Sequence, residues 1–267
     1  MKWDFKFKSK KCSNSIIPMF YFSIIILSLT QIISNSNEII IKISGTGEQS
    51  LLSENFDQCP SSIYLNNQPV DINSTICRKI NILEGVLNNT IKIEFNVVVT
   101  SLKEIFANLQ NLIEVDLSNF DSSSVYNMKN MFMNCTSLTS INLSNLKTNS
   151  VQIMQGMFYG CTSLKELDLY SFDTSRVISM ADMFRYCNNL ISLNISGFKT
   201  SNVEIMTSMF QNVESLENLD LSHFDTSKVT KINGMFWKIK SLIHLIYLIL
   251  ILHLWLIWQI CLSMMKS

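Results

Sequence analysis

A hydrophobic doublet recurs along this chain at a fixed interval of 26 residues. Self-similarity at a period of a few tens of residues is the sequence signature of stacked repeats, in which each unit buries its apolar side against its neighbours. The chain is therefore predicted to form an elongated stack instead of a single globular core. The six doublets are Ile105-Phe106, Met131-Phe132, Met157-Phe158, Met183-Phe184, Met209-Phe210 and Met235-Phe236.

Each repeat also carries aliphatic residues in an L-x-x-L-x-L pattern. Apolar residues at every second position are typical of a β-strand, and one strand per unit builds a parallel sheet. Apolar residues then recur at steps of three and four, as in Val125, Met128 and Met131, which is the period of an amphipathic helix. The predicted fold class is an α/β solenoid of leucine-rich repeats, with one short parallel strand and one short convex helix per repeat. The five patterns are Leu112/Val115/Leu117, Leu138/Ile141/Leu143, Leu164/Leu167/Leu169, Leu190/Leu193/Ile195 and Leu216/Leu219/Leu221.

Two further segments are predicted before the repeats. Residues 1–36 combine five lysines with an apolar run, which is typical of a secretory signal peptide or, if uncleaved, of a signal anchor. Residues 37–86 are polar, and we expect them to cap the first repeat of a solenoid that covers residues 87–242. Within this cap region we expect a disulfide between Cys59 and Cys77, the alternative being two unpaired thiols.

Charge and motif content argue against catalysis and nucleic-acid binding. The 267 residues include 21 basic and 21 acidic side chains, so no net charge attracts a polyanion. No phosphate-binding loop, zinc-finger spacing or catalytic triad motif is present. Cys135, Cys161 and Cys187 recur at 26 residues but find only His223 as a histidine in the repeats, so we interpret them as buried fillers or, in an oxidising compartment, inter-repeat disulfide partners. We predict no enzyme activity, no cofactor and no metal site.

Two polar columns alternate from one repeat to the next. One column alternates in charge, and opposite charges on strands about 4.8 Å apart attract each other. The other alternates between aspartate and asparagine on the outward side of the predicted strands. It has two interpretations, a stripe that binds calcium or a ligand and a hydrogen-bonded polar ladder. The columns are Asp121, Lys147, Asp173, Lys199 and Asp225, and Asp116, Asn142, Asp168, Asn194 and Asp220.

The outward side chains at the strands form a candidate binding face. Tyr170 is its single aromatic anchor, and aromatic residues are enriched among the side chains that dominate binding energy. The alternative interpretation is an ordinary solvated strand surface. The candidate residues are Glu114, Asp116, Ser118, Asn142, Ser144, Glu166, Asp168, Tyr170, Asn194, Ser196, Asp220 and Ser222.

The strings MFYGCTSLKELDLYSFDTSRV and MFQNVESLENLDLSHFDTSKV resemble the repeats of BspA-like leucine-rich-repeat surface proteins. Units of that family carry MF, C-x-S-L, L-D-L-S-x-F-D-T-S and a following V-x-x-M. The match covers roughly residues 95–242. The resemblance implies an exported repeat protein of cell surfaces, in a family associated with adhesion to host or neighbouring molecules. It carries over no catalytic residue and no specific ligand.

The repeat pattern stops after Leu242, and residues 243–267 form an almost unbroken apolar run. One interpretation is a transmembrane segment, which needs about 20 apolar residues. The interpretation we favour is an out-of-frame repeat. Inserting one nucleotide after Leu245 allows LIYLILILHLWLIWQICL to be read as LDLSHFDTSFVVNMANMF, which restores the doublet one period after Met235-Phe236.

These features predict a secreted or cell-surface protein that binds a protein or glycan ligand on another cell or on matrix. Membrane contact is expected through the N-terminal or the C-terminal apolar segment. Three alternatives stay open: a single-pass membrane receptor with a repeat ectodomain, a hydrolase or lectin-like enzyme that uses the aspartate column, and a truncated fragment of a longer repeat array.

Overall fold

The computed structural model describes residues 37–71, 77–82 and 89–239. The predicted signal segment and the apolar tail lie outside these ranges. Within them no helix is long and apolar enough to cross a bilayer. The strands of the described residues are β1 Glu38–Ile43, β2 Gly47–Ser50, β3 Ser62–Leu65, β4 Gln68–Val70, β5 Lys79–Ile82, β6 Asn89–Glu94, β7 Leu112–Asp116, β8 Ser140–Asn142, β9 Glu166–Asp168 and β10 Ser192–Asn194.

The N-terminal segment forms an antiparallel sheet around β1. This strand pairs with β6 on one side and with β7 on the other, in the strand order β4-β3-β6-β1-β7-β8. Its alternating sequence places Ile39, Ile41 and Ile43 on the buried side. Because β6 ends at Glu94, the sheet extends past residue 86, the predicted end of the cap region. β1 thereby gives backbone partners to the edge of β7, the first strand of the repeats.

A disulfide joins Cys59 to Cys77, whose Cα atoms are 5.5 Å apart. Arg78, the next residue, donates from Nε to the carbonyl oxygen of Phe56 at 2.7 Å. The two cysteines are 18 residues apart, and closing a loop of this size stabilises a fold by about 3 kcal/mol through the unfolded chain. The bridge therefore ties the irregular part of the N-terminal segment to the residues that lead into β5.

Each of the first four repeats contributes one short parallel strand. Val115 lies opposite Ile141 in the β7–β8 pair, and Leu167 lies opposite Leu193 in the β9–β10 pair, so the register is one repeat. No strand pairing joins β8 to β9 among the described residues. The strand ladder is thus divided into pairs of repeats.

A second parallel ladder, which we call the turn ladder, runs through the repeats without interruption. At each junction four backbone N–H groups donate to carbonyl oxygens 25 residues ahead. Between Gly156 N and Ala181 O the distance is 2.8 Å, and between Phe158 N and Met183 O it is 2.9 Å. The 26-residue period is therefore a hydrogen-bonding register as well as a sequence pattern. The bridged residues are Ser101, Asn127, Ile153, Ser179, Ile205 and Lys231.

The turn ladder occupies the segment where the sequence predicts a short convex helix, and no helix forms there in the described residues. Two residues per repeat, four positions apart, have φ between 54° and 69°. A left-handed residue costs an L-amino acid about 1–2 kcal/mol and interrupts a right-handed helix, so the chain forms successive turns. The first left-handed column is Glu104, Asn130, Gly156, Asp182, Ser208 and Gly234, and the second is Asn108, Asn134, Gly160, Tyr186, Asn212 and Lys238.

The core of the repeats is a column of stacked phenylalanine rings. Neighbouring ring centroids are 5.5–6.0 Å apart, and neighbouring planes lie within 13° of parallel. Every ring of the column is buried, so dispersion contacts run continuously from repeat to repeat. The members are Phe106, Phe132, Phe158, Phe184, Phe210 and Phe236.

Candidate binding face

The predicted binding residues lie on and just after the short strands, and we call this set the strand face. The buried leucines of each strand point into the core, so the residues between them point outwards. Most of the set is exposed, and the members nearest the N-terminal segment are half-buried. The exposed members are Asn142, Ser144, Glu166, Asp168, Tyr170, Ser196, Asp220 and Ser222, and the half-buried members are Glu114, Asp116, Ser118 and Asn194.

The aspartate and asparagine side chains of the strand face close turns in their own backbone. In every repeat the Oδ1 atom accepts a hydrogen bond from the backbone N–H two residues later, as Asp116 does from Ser118 at 2.8 Å. The same bond is 2.9 Å from Tyr170 N to Asp168 and 2.8 Å from Ser222 N to Asp220. Such turns end a strand, because the side chain replaces the next ladder partner. The column is therefore built first as a series of strand terminators.

Hydrogen bonding also sets the ionisation of these carboxylates. Burial raises the pKa of Asp116, but the hydrogen bonds from Ser118 and Asn142 outweigh it and leave the pKa below its usual value. Hydrogen bonds from the backbone and side chain of Ser222 likewise lower the pKa of Asp220. Both side chains are anions at neutral pH. No group of three or more Asp, Glu, His or Cys side chains able to hold a metal ion occurs in the part of the chain that the structure describes.

Polar contacts across the strand face connect repeats within a pair. Asp116 interacts with Asn142 in the β7–β8 pair, and Lys42 of β1 forms an ion pair with Glu114 at 2.5 Å. In the charged column, Lys147 approaches Asp121 at 3.9 Å and Lys199 approaches Asp173 at 3.7 Å. These lysine–aspartate pairs are exposed, so water screens them and they contribute little to stability. Their effect is on which repeats can lie next to each other.

Tyr170 is the most exposed aromatic side chain of the strand face, with 64% of its surface accessible. Its backbone is tightly held. A Cβ atom added to Gly197 would lie 2.0 Å from the carbonyl oxygen of Tyr170, so this glycine allows a close approach that no larger residue permits. An exposed ring on a fixed backbone loses little conformational freedom when it binds a partner.

A column of buried hydroxyl groups, which we call the hydroxyl column, was not predicted from the sequence. Thr174 Oγ1 accepts from Lys199 N at 2.7 Å and donates to Lys199 O at 2.9 Å. Thr148 makes the same two bonds to Asp173, at 2.8 and 3.1 Å, across the junction where β8 and β9 do not pair. The sequence signal is a serine or threonine two positions after each charged-column aromatic or leucine. The column consists of Ser122, Thr148, Thr174 and Thr200.

The recurring cysteines of the repeats are buried free thiols. Cys135, Cys161 and Cys187 each donate from Sγ to the carbonyl oxygen of a phenylalanine 29 residues earlier, at 3.0–3.1 Å. Burial raises the pKa of Cys135 and Cys187 to about 12 and raises the pKa of Cys161 well above its usual value. Because the thiolate is the reactive form, these thiols are held unreactive in the folded chain.

We therefore expect N-ethylmaleimide at pH 8 to modify these three cysteines at least about a thousandfold more slowly in the native chain than in denaturant. The folded pKa of about 12 lies above the ordinary 9.0. The stabilising contribution of the protonated thiols is thus fully present below pH 9.0 and is lost as the pH rises towards 12. Peptide mapping by mass spectrometry distinguishes these sites from the other cysteines. Native modification of the Cys161 peptide at the denatured rate would contradict the burial described here.

Comparison with known protein families gives two overlapping matches. A family model described as "Mycoplasma protein of unknown function, DUF285" matches residues 86–190 and 159–247, which together make up more than half of the chain. The chain belongs to this DUF285 family. The DUF285 matches contain every described repeat, including the strand face, the turn ladder and the hydroxyl column. No curated protein matches the chain, and neither does any solved structure.

Proposed function

We propose that this chain is an exported BspA-like surface protein whose repeats form a leucine-rich-repeat solenoid and act as a non-catalytic binding or adhesion module. Its ligand is a protein or a glycan on another cell or on matrix. The repeat architecture carries the proposal, because a stack of identical units presents the same side-chain types at regular spacing over a long surface.

The chemistry of the strand face supports binding over catalysis. Its exposed groups are carboxylates, amides and hydroxyls, which suit hydrogen bonding to glycan hydroxyls or to a polar protein surface. Asp168 and Asp220 each use one carboxylate oxygen to hold their own turn, so they act as fixed hydrogen-bond acceptors. A general acid or base needs a perturbed pKa near the working pH, and the lowered pKa of Asp220 lies in the opposite direction.

Tyr170 gives the proposal its sharpest test. We expect Tyr170→Ala to weaken binding about 30-fold, because truncating an aromatic hot spot costs about 2 kcal/mol or more. The measurement is saturable binding of the full chain to a printed glycan array and to immobilised extracellular-matrix proteins, followed by titration on the strongest spot.

Tyr126 supplies a matched control. It is also an exposed tyrosine, with 47% of its surface accessible, but it lies on the turn ladder. We expect Tyr126→Ala to bind as the unmodified chain does. Equal losses in the two variants would place the contact elsewhere, and the absence of saturable binding to every spot would contradict a binding module for these ligand classes.

A further inference from the structure

The last described repeat has the backbone geometry of a junction. The N–H groups of Met206, Ser208, Phe210 and Asn212 donate to carbonyl oxygens of that repeat at 2.8–3.0 Å. One period later the equivalent donors are the N–H groups of Ile232, Gly234, Phe236 and Lys238. No carbonyl oxygen within residues 37–71, 77–82 and 89–239 accepts from these four groups.

The hydroxyl column points to the same edge. Thr200 bonds to both backbone polar atoms of Asp225, at 2.8 and 3.0 Å. Thr226 occupies the next position of the column, and its equivalent partner would be residue 251. The edge formed by residues 226–238 therefore carries a fixed row of donors whose spacing matches one more repeat.

We propose that this edge is an interaction surface for one further 26-residue repeat, and that the occupant is the repeat encoded by residues 245–262 in the restored reading frame. The chain is long enough, since one period after Lys231 is position 257 and the sequence continues to Ser267. The proposal does not depend on the ligand-binding function.

Two position-specific requirements of the fold support this occupant. Position 260 is the next member of the first left-handed column, which includes Asn130 and Gly156. The printed Ile260 is β-branched and strongly disfavoured at positive φ, whereas the restored frame places an asparagine there, the non-glycine residue most tolerant of that conformation. The sign of φ is a property of the structure, so this agreement is independent of the repeated sequence pattern.

The hydroxyl column gives the second requirement. Position 252 follows Thr226 by one period, and the restored frame places a threonine there, while the printed residue is Leu252. A leucine has no group that can bond to the backbone of a following repeat. The restored repeat thus meets both the backbone and the side-chain demands of the stack.

Hydrogen exchange tests the proposal in the full chain. One variant replaces residues 245–262 by LDLSHFDTSFVVNMANMF, and a matched variant carries isoleucine at position 260 and valine at position 252 of that replacement. We expect the amides of Ile232, Gly234, Phe236 and Lys238 to exchange at least about tenfold more slowly in the first variant than in the second. Protected amides in the second repeat, such as those of Asn130 and Phe132, report that each variant is folded.

Two results would overturn the proposal. Equal exchange rates at the four amides in both variants would mean that the edge does not recognise a repeat of this type. Protection in the unmodified chain as strong as in the first variant would mean that the printed tail already fills the edge, so the restored repeat would not be its occupant.

Discussion

Replacing Phe158 by alanine is expected to destabilise the chain by about 3–5 kcal/mol, the usual cost of truncating a fully buried phenylalanine. The ring has no exposed surface and stacks between Phe132 at 5.5 Å and Phe184 at 5.9 Å. Its removal leaves a cavity in the middle of the phenylalanine column that neighbouring repeats cannot fill without breaking the turn ladder. Urea unfolding followed by circular dichroism measures the change.

Ile178→Ala is the control for this substitution. Ile178 belongs to the same repeat as Phe184 but is 44% exposed, so we expect a loss below about 1 kcal/mol. A Phe158→Ala variant no less stable than Ile178→Ala would show that the stack of rings does not hold the repeats together.

Replacing Thr174 by valine is expected to cost about 2 kcal/mol, since valine keeps the shape of threonine but leaves the N–H and C=O groups of Lys199 without their partner. Thr174 has no exposed surface, so water cannot easily replace the lost hydroxyl group. The same unfolding experiment measures the loss.

Thr174→Ser separates hydrogen bonding from packing at this site. Serine retains the hydroxyl group, as Ser122 does in the first repeat, where its Oγ accepts from Lys147 N at 2.7 Å. We expect this variant to lose less than half of what the valine variant loses. If the serine variant were instead the less stable of the two, packing of the methyl group and not the hydrogen bonds would explain why the position is a threonine.

The sequence predicts the period, the strand positions and the buried residues because all three depend on spacing. It predicts a helix in place of the turn ladder because apolar residues at steps of three and four fit a helix and a series of tight turns equally well. The two differ in the sign of φ at positions such as Asn130 and Asn134. The frequent asparagine and glycine at those columns is the signal that distinguishes them.

The strand face is predictable as a set of outward positions, but not in its bonding. Alternation of Asp116 and Asn142 is compatible with a cation stripe or with a polar ladder, and the choice depends on where the oxygen atoms point. The structure directs Oδ1 of each towards the backbone two residues later. The hydroxyl column was missed because serine and threonine are common in turns, so their burial is visible only once the repeats are stacked.

The division of the strand ladder into pairs constrains how a gene for such an array can change in length. Loss of the single repeat that contains Lys147 would bring Asp121 next to Asp173, and two exposed carboxylates would replace an attractive contact. Loss or gain of two repeats together preserves the alternation of charge at every junction. Unequal recombination within the array is thus tolerated best in steps of 52 residues, and the encoded proteins should vary in size by that increment.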